Sequence, residues 1–278
     1  MPYFNASDGA KLFYRDSGAG PALICLHGLT RNSSDFDLLR PLLPGHRIIA
    51  LDARGRGRSD YSGAATYTVP RECEDVLNLL DHLQIGAAAF LGTSRGGMVA
   101  MALAARARER ILGLYLNDIG PEMEHEGRMR ITTYVGLQPR ERSIDERVAA
   151  MPQHHPGFAG VPEARWREEV LHHFAETPEG LRISYDPALR DAFMATLNRA
   201  PNMWHGFDAL AARPVAVIRG ANSDILSPRI VAEMTRSRPD LIHTVVPGRG
   251  HMPLLDEPES IAALRAFLAT VGAAADGN

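Results

Sequence analysis

Cysteine is scarce in this sequence, with only Cys25 and Cys73 among 278 residues. Two thiols cannot build a disulfide framework, so we expect both to be reduced and buried in the core. No run of about 18 apolar residues occurs, which excludes a membrane-spanning helix. The first residues lack a basic segment followed by an apolar one, so we expect no secretory signal and a cytoplasmic location.

An excess of charge of one sign is also missing. The 30 Lys and Arg residues against 33 Asp and Glu residues give a formal net charge of −3 at pH 7. Proteins that bind nucleic acid or anionic lipid usually carry an excess of basic residues, which this sequence does not have. We therefore expect neither as a partner. An enzyme or a binding protein for a small molecule remains. The sequence leaves the oligomeric state open between monomer and dimer.

What the sequence does contain is a series of short apolar runs without alternation, which predict strands buried on both faces. These runs lie near 22–26, 48–51, 87–91, 111–116 and 215–218, with a more alternating one at 241–246. Two short strands are also predicted near 3–5 and 12–15, on either side of an Asp8-Gly9 turn. Helical periodicity is found at 69–83, 98–107, 228–234 and 258–271. Alternation of strands and helices predicts an α/β fold with a mostly parallel central sheet flanked by helices.

One region breaks that alternation. Residues 121–205 carry helical patterns separated by proline and glycine, with no strong strand signal between them. We interpret this region as a helical cap inserted between two strands of one sheet. The predicted domains are therefore a core of residues 1–120 and 206–278 and a cap of residues 121–205.

The strongest motif lies between the predicted strand 87–91 and the helix that follows it. The sequence there reads GTSRG, a G-x-S-x-G pattern centred on Ser94. A serine on a tight strand-to-helix turn projects its hydroxyl clear of the sheet edge, and Gly92 and Gly96 leave room for the turn. The amide of Arg95, at the helix start, would then stabilise an oxyanion. The alternative is a glycine-rich helix start that merely contains a serine.

A second loop follows the predicted strand 22–26 and begins with His27 and Gly28. In an α/β fold we expect the amide of Leu29 to be the second oxyanion donor and His27 to fix the loop through hydrogen bonds. Thr30 is a candidate substrate-binding residue. A plain turn is the alternative interpretation.

A serine hydroxyl needs a base, and a base needs an orienting carboxylate. His251 lies in a glycine-rich loop after the last predicted strand and can supply the base. Asp224 lies in the loop after the preceding strand and can orient the imidazole. The chain order Ser94, Asp224, His251 is the nucleophile, acid, base order of one fold class.

Asp118 competes with Asp224 for the role of the acid, because it also follows a buried run. It leads into Gly120 and Pro121, which suit the start of the cap, whereas the loop at 220–224 is long and polar enough to lift a carboxylate. We therefore predict Asp224.

Together these motifs resemble the α/β-hydrolase superfamily over nearly the whole chain. Residues 51–60 read LDARGRGRSD, which is similar to the D-x-R-G-x-G-x-S loop of that family, and residues 117–122 also resemble one of its segments. Read alone, the first segment could bind phosphate, but it lacks the Gly-Lys-Ser/Thr ending of such loops. The resemblance implies a serine hydrolase with a cap domain and without a cofactor. A serine nucleophile disfavours the epoxide and haloalkane branches.

We expect the substrate to be a small or medium carboxylic ester or a lactone, cleaved through an acyl-enzyme. Two alternatives stay open: a carbon–carbon bond hydrolase or lyase with the same triad, and a non-catalytic ligand receptor. Trp204, where the cap should rejoin the core, and Met252 are further candidate substrate-binding residues. The Arg95 side chain could reach the cap, bind a substrate carboxylate or form an ion pair. We expect no metal site, because the adjacent histidines at 154–155 and 172–173 would point to different helix faces.

Overall fold

The computed structural model describes residues 2–199 and 201–276, so the parts of the predicted domains at positions 1, 200 and 277–278 lie outside it. Its strands are β1 Tyr3–Asn5, β2 Lys11–Ser17, β3 Ala22–Leu26, β4 Arg47–Leu51, β5 Ala88–Thr93, β6 Ile111–Asn117, β7 Phe174–Thr177, β8 Gly180–Ile183, β9 Val215–Gly220 and β10 Ile242–Val246. Eight of them form one sheet in the order β1-β2-β4-β3-β5-β6-β9-β10. Strand β2 is antiparallel to both of its neighbours, and all other pairs are parallel. The predicted mostly parallel sheet is confirmed.

Helices cover both faces of this sheet. They are α1 Leu39–Leu42, α2 Val69–His82, α3 Arg95–Ala107, α4 His125–Ile131, α5 Ile144–His154, α6 Glu163–His173, α7 Leu189–Met194, α8 Trp204–Asp208, α9 Pro228–Ser237 and α10 Pro258–Asp276. The apolar residues of α2, α3, α8 and α9 belong to one buried cluster, and those of α1 and α10 to a second cluster on the other face. Within residues 2–199 and 201–276, no helix has both the length and the apolarity to cross a bilayer.

The position of each strand in the sheet explains its sequence pattern. Strands β5 and β9 lie inside the sheet, and every residue in them is buried. Such strands need continuous apolar runs, because both faces pack against helices. Strand β10 is at the sheet edge, and its residues alternate in burial until the last one. The more alternating run predicted at 241–246 thus reflects an edge strand.

The segment between β6 and β9, which we call the cap after the predicted domain, holds helices α4 to α8, but it is not purely helical. Its division from the core as a domain stays a prediction. Strands β7 and β8 form an antiparallel hairpin there, so the prediction of a segment without strands is wrong at 174–183. Only Leu181 of the hairpin is buried, and the pair therefore shows neither a continuous nor an alternating apolar pattern. Helices α5 and α6 enclose a small apolar core of their own around Trp166 and Val170. Helix α8, by contrast, packs on α3 of the central layer.

Candidate active site

Ser94 lies on the sharp turn between β5 and α3. Its backbone has φ +50° and ψ −113°, a region that L residues rarely adopt. A side chain at Gly96 would place Cβ 2.1 Å from the carbonyl oxygen of Leu26, and one at Gly92 would lie 2.5 Å from the Cα of Gly97. The turn therefore closes only with glycine on both sides of the serine, as the sequence predicted.

His251 connects this hydroxyl to a carboxylate. Its Nε2 is 2.9 Å from Ser94 Oγ, and its Nδ1 is 2.7 Å from Asp118 Oδ2. Asp118 is fully buried and also accepts hydrogen bonds from the Gly220 amide (2.7 Å) and the Ser223 hydroxyl (2.6 Å). The acceptor at Nδ1 fixes the imidazole with its proton on that nitrogen, which leaves Nε2 free to accept the proton of Ser94.

The prediction of Asp224 as the acid is wrong. Its carboxylate faces the cap, where Arg130 of α4 holds it with Nη2 (2.7 Å) and Nε (2.5 Å). Sheet register explains the difference: Thr93 of β5 pairs with Asn117 of β6, so Ser94 and Asp118 leave adjacent strands at the same level. Asp224 comes four residues after the end of β9, beyond this level.

The two proposed oxyanion donors are free to bind a substrate oxygen. In the ranges 2–199 and 201–276, neither the Leu29 amide nor the Arg95 amide has a hydrogen-bond partner. His27 supports their loop: the Ala53 amide donates to its Nε2 (3.0 Å), and its Nδ1 donates to the Gly28 carbonyl (2.7 Å). Burial lowers the pKa of His27 and keeps the ring neutral. His27 is thus a loop-fixing residue, while the oxyanion role of Leu29 and Arg95 stays a prediction.

The arginine-rich loop at 52–60 makes hydrogen bonds and buried ion pairs with neighbouring parts of the chain. Asp52 accepts hydrogen bonds from the amides of Ser33 (2.7 Å) and Arg58 (2.8 Å), which ties two loops together. Arg54 and Arg56 are fully buried and pair with carboxylates of α2. Because the guanidinium groups of Arg54 and Arg56 are already paired inside the core, the loop does not present these two to a phosphate.

The three candidate substrate-binding residues differ in position. The Met252 side chain lies over Gly28, next to the proposed oxyanion loop. Trp204 donates from its indole nitrogen to Glu122 (2.7 Å) at the junction of cap and core. Thr30 is half-buried in the loop after β3. Substrate contact stays a prediction for all three. For the Arg95 side chain the ion-pair interpretation is confirmed, because Nε donates to a buried carboxylate of α2 (2.8 Å).

Sequence reasoning missed cap residues that face the site. A Cβ at Gly250, the neighbour of His251, would lie 3.1 Å from the ring of Phe158, so the cap packs directly on the histidine loop. Desolvation raises the pKa of the Tyr134 hydroxyl to about 12, and this hydroxyl interacts electrostatically with Arg130 and Asp224. Neither residue belongs to a motif, since both lie in irregular chain between cap helices.

Known proteins resemble this chain over most of its length. The model of the Alpha/beta hydrolase family matches residues 23–264. A 3-hydroxybutyrate-oligomer hydrolase from Cupriavidus necator is 34% identical over 251 residues, which cover 86% of this chain and 85% of that protein. A 2-(acetamidomethylene)succinate hydrolase from Mesorhizobium japonicum is 28% identical over 256 residues, covering 85% and 84%. A crystal structure of an alpha/beta hydrolase from Novosphingobium aromaticivorans superposes with a TM-score of 0.89 at 36% identity and covers 96% of both chains.

Proposed function

Because the chain belongs to the alpha/beta hydrolase family, we propose that it is a serine hydrolase that cleaves carboxylic ester bonds through an acyl-enzyme. The observation that carries this proposal is the hydrogen-bonded chain from Ser94 Oγ through His251 to Asp118, with distances of 2.9 and 2.7 Å. A hydroxyl is a weak nucleophile at neutral pH, and a neutral imidazole oriented by a carboxylate is the standard means of activating it.

The proposed reaction has two steps. Ser94 Oγ attacks the carbonyl carbon while His251 Nε2 takes the hydroxyl proton, and the buried carboxylate of Asp118 stabilises the resulting imidazolium. The amides of Leu29 and Arg95 donate to the oxyanion. His251 then gives its proton to the departing alcohol, which leaves an acyl-enzyme. A water molecule then attacks the acyl carbonyl while His251 takes one of its protons, and His251 passes this proton to Ser94 Oγ as the acid is released.

For the substrate we propose a small or medium carboxylic ester or a lactone, with short oligoesters of hydroxy acids as the first class to test. The similarity to a 3-hydroxybutyrate-oligomer hydrolase supports this choice. Arg130 also supports it, since such oligomers end in a carboxylate. The Nη1 atom of Arg130 makes no hydrogen bond to any described residue. Arg130 binds Asp224, and the adjacent Ser223 donates a hydrogen bond to Asp118, the proposed acid of the triad.

The test is a hydrolysis panel of p-nitrophenyl esters of rising chain length, lactones and linear oligomers of 3-hydroxybutyrate, with product analysis by mass spectrometry. We expect equal amounts of acid and alcohol (or p-nitrophenol) from each linear ester, a single hydroxy acid from each lactone, and no turnover by Ser94→Ala. A fluorophosphonate should label Ser94, mapped on the digested protein. Turnover by Ser94→Ala, or labelling at another serine of an active preparation, would contradict the mechanism. Tight binding of an ester without turnover would instead support the receptor alternative.

A further inference from the structure

Three charged side chains form a buried cluster behind the proposed oxyanion loop. Glu72 of α2 accepts from Arg56 Nη1 at Oε1 (2.9 Å) and from Arg95 Nε at Oε2 (2.8 Å). The exposed fractions of the side chains are 4% for Glu72, 1% for Arg56 and 16% for Arg95. Each carboxylate oxygen therefore accepts from one guanidinium, and all three side chains have little exposure to solvent.

Both guanidinium groups connect to the proposed oxyanion donors. Arg56 Nε donates to the carbonyl oxygen of Leu29 (2.9 Å), so it holds the residue whose amide is one donor. Arg95 is itself the residue whose amide is the other donor, and its side chain also donates to the Tyr67 carbonyl (3.2 Å). The Glu72 carboxylate accepts hydrogen bonds from both arginines, and it thereby links the loop after β3, through Arg56, to the start of α3 after β5.

The cluster is charged rather than neutral. Burial would raise the pKa of Glu72, but Arg95 and Arg56 outweigh this effect and lower it to about 2. Removing one member of such a buried set leaves an uncompensated charge, so the remaining members must move or take up water. A displacement of about 1 Å at a reacting centre can cost about 100-fold in rate.

We propose that Glu72 is a positioning residue that holds Leu29 and Arg95 in register through Arg56 and the Arg95 side chain, so that both amides reach one oxyanion. The inference rests on the proposed serine hydrolase function. It assigns no contact with the substrate to Glu72, because the carboxylate is buried between the two arginines.

A purely structural ion pair is the competing explanation, and the same helix offers a matched control. Asp75 lies three residues after Glu72, its side chain is 1% exposed, and it pairs with the buried Arg54 through two hydrogen bonds of 2.6 and 2.7 Å. Among the described residues, neither Asp75 nor the Arg54 side chain contacts Leu29 or Arg95 by a hydrogen bond.

The experiment compares Glu72→Gln, Arg56→Lys and Asp75→Asn after each has been checked for folding by circular dichroism. We measure kcat and KM on the best ester of the panel, and hydrogen–deuterium exchange of the peptide covering residues 27–31. For Glu72→Gln and Arg56→Lys we expect kcat to fall about 10- to 100-fold with KM within about threefold, and faster exchange at 27–31. For Asp75→Asn we expect kcat within about threefold of the wild type and unchanged exchange, whatever its loss of stability.

Arg56→Lys keeps the positive charge but loses the Nε hydrogen bond to the Leu29 carbonyl, so it is the decisive variant if Glu72→Gln does not fold. Unchanged kcat in the folded variants would overturn the proposal even if exchange increased. An equal loss of kcat in Asp75→Asn would also overturn it. The exchange readout needs no turnover: a wild type that hydrolyses no ester overturns the proposed function, whereas unchanged exchange at 27–31 in the folded variants overturns the positioning role.

Discussion

Two non-glycine residues with left-handed backbones mark the site at the residue scale. Ser94 and Asp118 have φ of +50° and +55°, and each is the first residue after a strand. The Ser94 amide donates to the Asn117 carbonyl (3.1 Å), so the two strained residues leave neighbouring strands side by side. Backbone strain of this kind costs of order 1–3 kcal/mol and persists where the surrounding structure imposes it. Here it turns both side chains toward His251.

We expect Asp118→Asn to lower kcat by up to about 10⁴-fold, because an amide in place of the carboxylate favours the wrong imidazole tautomer. Asp224→Asn should lower kcat far less, since Asp224 pairs with Arg130 and not with His251. The measurement is kcat on a p-nitrophenyl ester, with circular dichroism to confirm folding. The reverse ranking would return the acid to Asp224.

The placement of Ser94 beside His251 could be predicted from the sequence, whereas the carboxylate that contacts His251 could not. Ser94 and His251 lie in glycine-rich loops that follow strands, and such patterns are local. The choice between Asp118 and Asp224 depends on which strand adjoins β5 and at what register, and no local pattern carries that information. The contacts of Glu72 were missed for the same reason, because its partners are 16 and 23 positions away.

At the scale of elements, the turn from β5 into α3 works because the helix begins against the neighbouring strand β3. Gly96 is the contact point: its Cα is so close to the Leu26 carbonyl at the end of β3 that no Cβ fits. This approach brings the start of α3 next to the loop that follows β3. The two proposed oxyanion donors, on different elements, therefore depend on one small residue.

We expect Gly96→Ala to destabilise the protein by about 1–3 kcal/mol or more, because backbone atoms rather than a flexible side chain must move to admit the methyl group. Gly86→Ala is the control: a Cβ there meets nothing within 4 Å, and its effect should stay within about 0.5 kcal/mol. Urea unfolding followed by circular dichroism measures both. Equal stability of the two variants would show that the helix start can shift without cost.

The hairpin of β7 and β8 could not be predicted from the sequence. Pro178 between the strands and Gly180 at the start of β8 are turn formers, and Gly180 has φ of +122°. The sequence therefore contains a turn signal at this place. Because each strand has four residues and only one side chain of the pair is buried, no apolar alternation marks the strands themselves. Long strands buried on both faces were predicted because their apolar runs are continuous.

At the scale of the whole molecule, cap and core meet through buried charges. Glu169 of α6 pairs with Arg31 of the core and lies 2.7 Å from Arg165, which in turn binds Asp256 of the core (2.6 Å). His173 of the same helix is 2.7 Å from Asp35 Oδ1. Helix α6 is thus attached to two separate core loops by charged groups, and the attachment depends on their ionisation.

The stability that this attachment contributes should depend on pH. Burial and the nearby Asp35 carboxylate would each raise the pKa of Glu169 above its ordinary value of 4.5. The neighbouring Arg31, His173 and Arg165 outweigh both effects and lower this pKa to about 2. A carboxyl whose pKa is lowered by folding stabilises the protein above its unfolded pKa, and this contribution is lost as the pH falls toward the folded pKa. Glu169→Gln should therefore be less stable than the wild type at pH 7, by about 3–5 kcal/mol if the buried arginines stay uncompensated. The difference in unfolding free energy between Glu169→Gln and the wild type should shrink between about pH 4.5 and pH 2.

The control is Glu163→Gln, on the exposed face of α6. Because the Glu163 side chain is 77% exposed, this variant should match the stability of the wild type at every pH. Urea unfolding across this pH range measures all three proteins, and a difference that stayed constant from pH 7 to pH 2 would show that the charge of Glu169 does not hold the cap to the core.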